Sequence, residues 1–155
     1  MFFKVLKILC LIAWMGLIFS FSMDNGVESK EKSDRLVLLL SKIILKEEVP
    51  SEKQQQYLEK YSRYIRKTAH FFLYFVLGGL CILVMEDFHP ATGKEIMYII
   101  LFIFLYACSD EFHQLFIKER SGQLLDVIID TIGGISSTLC YYLLRRKKNE
   151  KTTVA

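Results

Sequence analysis

Apolar residues in this chain come in blocks, and blocks of this length leave few folds open. They cover roughly 5–21, 68–85, 96–107 and 124–144 of a 155-residue sequence. A helix that crosses the ~30 Å hydrocarbon core of a bilayer needs ~20 mostly apolar residues. A single-pass segment in lipid must satisfy its backbone polar groups within itself, which selects helices. Composition agrees. Hydrophobic residues make up 52% of the chain, with twelve Phe, eight Tyr and only two Pro, above the roughly 45–50% usual for soluble domains. The sequence therefore predicts an all-α integral membrane protein forming one membrane domain. Its four transmembrane helices lie at about 5–22, 68–85, 96–116 and 124–144.

The third block is too short to cross unaided. It must continue through 116, which draws Asp110-Glu111-Phe112-His113-Gln114 into its last turns. Ionisable residues within a span are costly, and they mark a functional site unless they only pair with one another.

The remaining features exclude several classes. The formal net charge of +3 gives no case for a nucleic-acid partner. Cys10, Cys81, Cys108 and Cys140 sit in or near apolar runs without CxxC spacing, so they read as packing residues. The first run has the look of a signal peptide, with Ser20 and Ser22 near its end, but its length favours an uncleaved span. No internal repeat or low-complexity segment is visible.

Residues 24–67 form a long connection rich in charges of both signs. Within it, the apolar stretch 36–45 follows Ser33-Asp34, which reads as a helix cap. This predicts an amphipathic helical segment, interfacial or folded back on the bundle. Pro50 separates it from a second helical stretch, 52–65, that runs into the next span. Four spans place both termini on one side. Lys4, Lys7 and the Arg145-Arg146-Lys147-Lys148 cluster assign that side to the cytoplasm, although Arg63, Arg66 and Lys67 pull the other way. The expected topology is an extracytoplasmic loop at 24–67 and a cytoplasmic basic tail at 145–155.

Antiparallel spans bring the polar residues to one level. Span two opens with Arg66, Lys67 and His70. Span three closes with Asp110, Glu111, His113 and Gln114. A tight link carries Arg120, and span four opens with Asp126 and Asp130. Arg66, His70 and Tyr74 are four apart and share a stripe. Asp126 and Asp130 share another, continued by Gly133, Gly134 and Ser137, whose small side chains let a neighbouring helix approach closely.

These blocks resemble the VanZ-like family. The resemblance rests on Arg66-Lys67-Thr68-Ala69-His70-Phe71-Phe72-Leu73-Tyr74-Phe75, on Ser109-Asp110-Glu111-Phe112-His113-Gln114, and on Arg120-Ser121-Gly122 followed by Asp126, Asp130 and Gly133-Gly134. It covers about half the chain, in the family's order. Where the family often has Pro-Gly before the arginine, this chain has Lys118-Glu119. The resemblance implies a small multi-pass membrane protein, in a family whose namesake is linked to teicoplanin resistance.

Three readings of the polar cluster follow. Arg66, Lys67 and Arg120 can neutralise Asp110, Glu111, Asp126 and Asp130 as a structural network or scaffold. The same cations can hold the phosphate of a membrane lipid or a lipid-linked cell-wall precursor. Phe71, Tyr74 and Phe112 would then line an acyl or sugar groove. Catalysis by Asp110, Glu111, Asp130 or His70 stays open, although GxSxG, HExxH and a phosphate loop are all missing. No cofactor and no metal is assigned, although a divalent cation on Asp110, Glu111, Asp126 and a histidine is compatible with hard oxygen donors. His113 reads as a hydrogen-bonding residue. The expected role is cell-envelope maintenance or glycopeptide/lipopeptide tolerance at the cell membrane, through an outward-facing site. The sequence specifies no oligomeric state.

Overall fold

The computed structural model describes residues 1–45, 51–89, 93–120 and 122–153. Pro50, Pro90, Ser121 and the side chains of 145–148 lie outside the described residues. Five helices follow in chain order: α1 (Phe2–Met23), α2 (Gly26–Leu45), α3 (Ser51–Met85), α4 (Gly93–Gln114) and α5 (Leu124–Thr153). There is no strand among the described residues. Four of the helices are long and apolar enough to cross a membrane: α1, α4, Lys53–Met85 of α3 and Leu124–Leu144 of α5.

α3 is the axis of the bundle, packing against α1, α2, α4 and α5. Its 35 residues span about 52 Å at ~1.5 Å per residue, well beyond a ~30 Å hydrocarbon core. The second helical stretch of the connection and span two are thus one continuous helix. Its polar first half is covered by α2.

α2 starts earlier than the sequence suggested. The Asn25 side chain caps it, its Oδ1 accepting from Glu28 N–H at 2.8 Å. Ser33-Asp34 is therefore not a cap. Ser33 lies mid-helix with its hydroxyl on the Ser29 carbonyl at 2.9 Å, and Asp34 accepts a hydrogen bond from Ser62 of α3. The small buried face of α2, Ser29, Ser33, Val37 and Ser41, seats it against α3.

α4 ends at Gln114 rather than 116. Residues 115–117 turn more tightly, each N–H bonding three residues back, the usual narrowing of a helix end into a 3₁₀ turn.

The core is formed by Ile18, Tyr74, Leu77, Cys81, Ile82, Ile99, Ile103, Ala107 and Val127. α3 and α5 meet through small residues. A Cβ placed on Gly78 would stand 2.9 Å from the Gly134 carbonyl oxygen, and one on Gly133 would stand closer still to the Phe71 carbonyl oxygen. Backbones this close leave no room for larger side chains. α1 is peripheral: only 6% of its span is buried, against 28–33% for the others. It is held by Trp14 Nε1–H donating to the Leu73 carbonyl (3.0 Å) and by Tyr106 O–H donating to the Met15 carbonyl (2.8 Å). Apolar side chains such as Leu9, Ile12, Leu101, Leu105 and Leu139 stand exposed on the flanks, as expected of surface that meets lipid rather than water.

The two ends of the bundle differ chemically. At one, Lys7 pairs with Asp87 at 2.9 Å, Lys4 lies over the Phe88 ring, and Tyr141 donates to Glu86. The candidate site lies at the other.

Candidate polar site at one end of the bundle

Three helices and one loop converge on a polar cavity of about 70 Å³. α3 supplies Arg66, Lys67 and His70. α4 supplies Glu111 and Gln114. α5 supplies Ile129, Asp126 and Asp130, and the intervening loop supplies Glu119, Arg120 and Gln123. Helical spacing explains the set: 66, 67 and 70, like 126, 129 and 130, fall within one or two turns on a single face.

Most residues singled out in the sequence meet in this cavity, but three do not line it. Asp110 lies behind the wall, 2% exposed. Tyr74 is wholly buried in the core, its ring 6.0 Å from that of Tyr106. His113 packs its ring on Phe19 of α1, with centroids 4.7 Å apart. Conversely, Glu119, Gln123 and Ile129 line the cavity, and Ser22, fully buried at the end of α1, lies beside Asp110. The sequence marked none of these as a site residue. Gln123 and Glu119 sit in a link whose path sequence does not fix, and Ser22 arrives from a helix remote in the chain.

Glu111 bonds at both ends of its carboxylate. One oxygen accepts from Gln123 N–H at 2.8 Å and the other from the Gln114 amide at 3.1 Å. It thereby sits at the N-terminus of α5, where a negative charge suits the helix dipole. Asp126 takes Lys67 in a half-buried ion pair. His70 Nδ1 and Asp130 Oδ2 stand 3.6 Å apart.

Arg120 behaves differently from a simple counter-ion. It donates to the Phe21 and Ser22 carbonyls (3.3 and 3.2 Å) and to Ser29 Oγ (2.9 Å). The loop is thus strapped to α1 and α2. Burial, and then the neighbouring Arg66 guanidinium, hold Arg120 below its ordinary pKa. Arg66 itself makes no ion pair among the described residues. The full charge-neutralising network that the sequence allows is therefore not what forms: among the described residues, Lys67–Asp126 is its one close Lys/Arg–carboxylate contact at the cavity.

A second, apolar cavity of about 330 Å³ adjoins the first. Trp14 and Phe21 of α1, Leu36 of α2, and Ile65, Ala69, Phe72, Leu73 and Val76 of α3 form its walls. Arg66, His70 and Arg120 belong to both cavities. The aromatic lining expected from the sequence is corrected here. Phe72, not Phe71, faces this groove, Tyr74 is in the core, and Phe112 points outward at 63% exposure. The face of α3 at 65, 69, 72, 73 and 76 is the helical stripe turned toward α1 and α2, which only the packing reveals.

The fold and the site together define a small membrane protein of four apolar spans. A polar pocket is sunk into one end of its bundle and continued by an apolar groove. A family model described as VanZ/LLP1 matches residues 7–145, and the chain belongs to this family. No curated protein and no solved structure matches it.

Proposed function

We propose that this VanZ/LLP1-family protein binds an amphiphile with an anionic headgroup, a membrane lipid or a lipid-linked cell-wall precursor. Through that binding it contributes to cell-envelope maintenance or glycopeptide tolerance. The observation that carries this reading is the sharing of Arg66, His70 and Arg120 by a polar pocket and an apolar groove. A phosphate between Arg66 and Arg120 relieves the repulsion of two guanidiniums and gains charge-assisted hydrogen bonds from Arg66. The attached chain then lies along Leu73, Phe72 and Val76. The pocket opens outward in this proposal, because Lys4 and Lys7 stand at the opposite end of the bundle and basic residues favour the cytoplasmic side.

The test is lipid retention and drug sensitivity in Arg66→Gln, scored beside membrane abundance. We expect wild-type abundance, at least a tenfold drop in anionic lipid co-purified from detergent (~1.4 kcal/mol), and greater teicoplanin sensitivity. Unchanged lipid retention at wild-type abundance would sink the headgroup reading. Retained lipid binding with unchanged sensitivity would remove the tolerance role alone.

A further inference from the structure

His70 of α3, Asp110 of α4 and Asp130 of α5 bring one donor atom each within 4.8 Å of the others. Among the described residues, the one close contact within this trio is the long His70–Asp130 ion pair. Asp130 is 0% exposed, and neither of its carboxylate oxygens has a hydrogen-bond partner among the described residues. Asp110 leaves Oδ1 unpartnered, and His70 leaves Nδ1 so. The 3.6 Å between His70 Nδ1 and Asp130 Oδ2 is too long for a hydrogen bond. Two nearby cations are engaged elsewhere, Lys67 on Asp126 and Arg120 on Phe21, Ser22 and Ser29, and among the described residues Arg66 forms no ion pair with Asp110 or Asp130. Among the described residues, Asp110 keeps one accepted hydrogen bond and Asp130 only the 3.6 Å contact with His70. Buried carboxylates this poorly partnered are expensive, and proteins retain them where they are paired or coordinate a metal.

We propose that His70, Asp110 and Asp130 bind one divalent cation. Two carboxylates and a neutral imidazole carry a charge of −2, which the ion cancels. One nitrogen and two oxygen donors suit Zn²⁺ or Mn²⁺ better than Ca²⁺ or Mg²⁺, which take oxygen almost alone. Such donors sit about 2.0–2.2 Å from zinc, so the three side chains need only a modest inward movement. The outer groups are already set. Gln114 donates to Asp110 Oδ2 at 3.3 Å, holding the carboxylate with Oδ1 free, the kind of support that ligating carboxylates receive. Three protein donors leave a coordination position open. His70 and Asp130 both line the polar cavity, so that position faces it. The set differs from the Asp110, Glu111 and Asp126 grouping that the sequence allows. Glu111 is occupied by Gln114 and the Gln123 N–H, and Asp126 by Lys67.

This site does not rest on the headgroup reading, and its test uses no added lipid. The full chain in detergent is stripped with a chelator, loaded with Zn²⁺ or Mn²⁺ alone, desalted and assayed for metal by mass spectrometry. The expected result is about one ion per chain for wild type and for Asp87→Asn at the far end, with at least a tenfold loss in Asp110→Asn and Asp130→Asn. His70→Cys loaded with Co²⁺ guards against loss through misfolding, because a coordinating thiolate adds a charge-transfer band that a merely structural His70 would not produce. A wild type that retains neither ion overturns the proposal. So does an Asp130→Asn variant that binds as wild type, or a folded His70→Cys variant without the thiolate band.

Discussion

Arg120 illustrates how a single side chain can hold several elements together. It reaches two carbonyls at the end of α1 and a hydroxyl on α2, while its own backbone belongs to the α4–α5 loop. The loop is under local constraint as well, since Glu119 adopts a positive φ of 60°. Lysine keeps the charge but offers one point of attachment in place of a fork. Arg120→Lys is expected to destabilise the folded protein by about 1.5–3 kcal/mol, the range for hydrogen bonds from a charged donor, read as a lower melting temperature in detergent. The sequence marked Arg120 as a site residue by resemblance and by charge. It did not reveal that the fork points at carbonyls, because α1 lies almost a hundred residues away in the chain.

At the scale of elements, the α3–α5 contact is set by what is missing from it. Gly133 faces the Phe71 carbonyl, and Gly78 faces the Gly134 carbonyl, at distances no Cβ tolerates without a shift. Gly133→Val is expected to cost about 1–3 kcal/mol through overpacking against the Phe71 backbone. Gly16 of the peripheral α1 has nothing within 4 Å. Gly16→Ala is therefore expected to be neutral or to stabilise by up to about 1 kcal/mol through helix propensity. Thermal unfolding of the two variants in the same detergent checks the contrast, and equal effects would contradict the packing. The small stripe at 133, 134 and 137 was legible from helical spacing. Its partner was not, since period alone does not say which helix comes close. The start of α2 at Gly26 escaped notice for a related reason. Its first two turns are polar and buried only on a narrow serine face, so no apolar periodicity announces them.

At the scale of the whole molecule, the bundle has one end that carries Lys4 and Lys7 and another that carries the polar pocket, and orientation follows from which one faces the cytoplasm. With the pocket outward, a cysteine at exposed position 30 of α2 lies outside. In a chain whose four cysteines are replaced by alanine, Lys30→Cys is expected to react with a membrane-impermeant thiol reagent in intact cells. Labelling confined to inverted vesicles would place the pocket inside and invert the assignment.

Block hydropathy determined the fold class, because a bilayer accepts apolar helices of one length range and rejects exposed backbone. Antiparallel order determined that Arg66, His70, Glu111, Arg120 and Asp130 would lie at one level, since alternate span ends share a side. The tertiary structure decided the rest. It separated the carboxylates by partner, giving Glu111 to the start of α5 and Asp126 to Lys67. It left Asp110 and Asp130 with His70. It also opened an apolar groove behind the pocket by leaning α1 and α2 against one face of α3. The physical reason is range. Hydropathy and helical period act over a few turns and can be counted along the chain, whereas hydrogen-bond partners and cavity walls depend on the rotation of each helix, which only packing across the bundle sets.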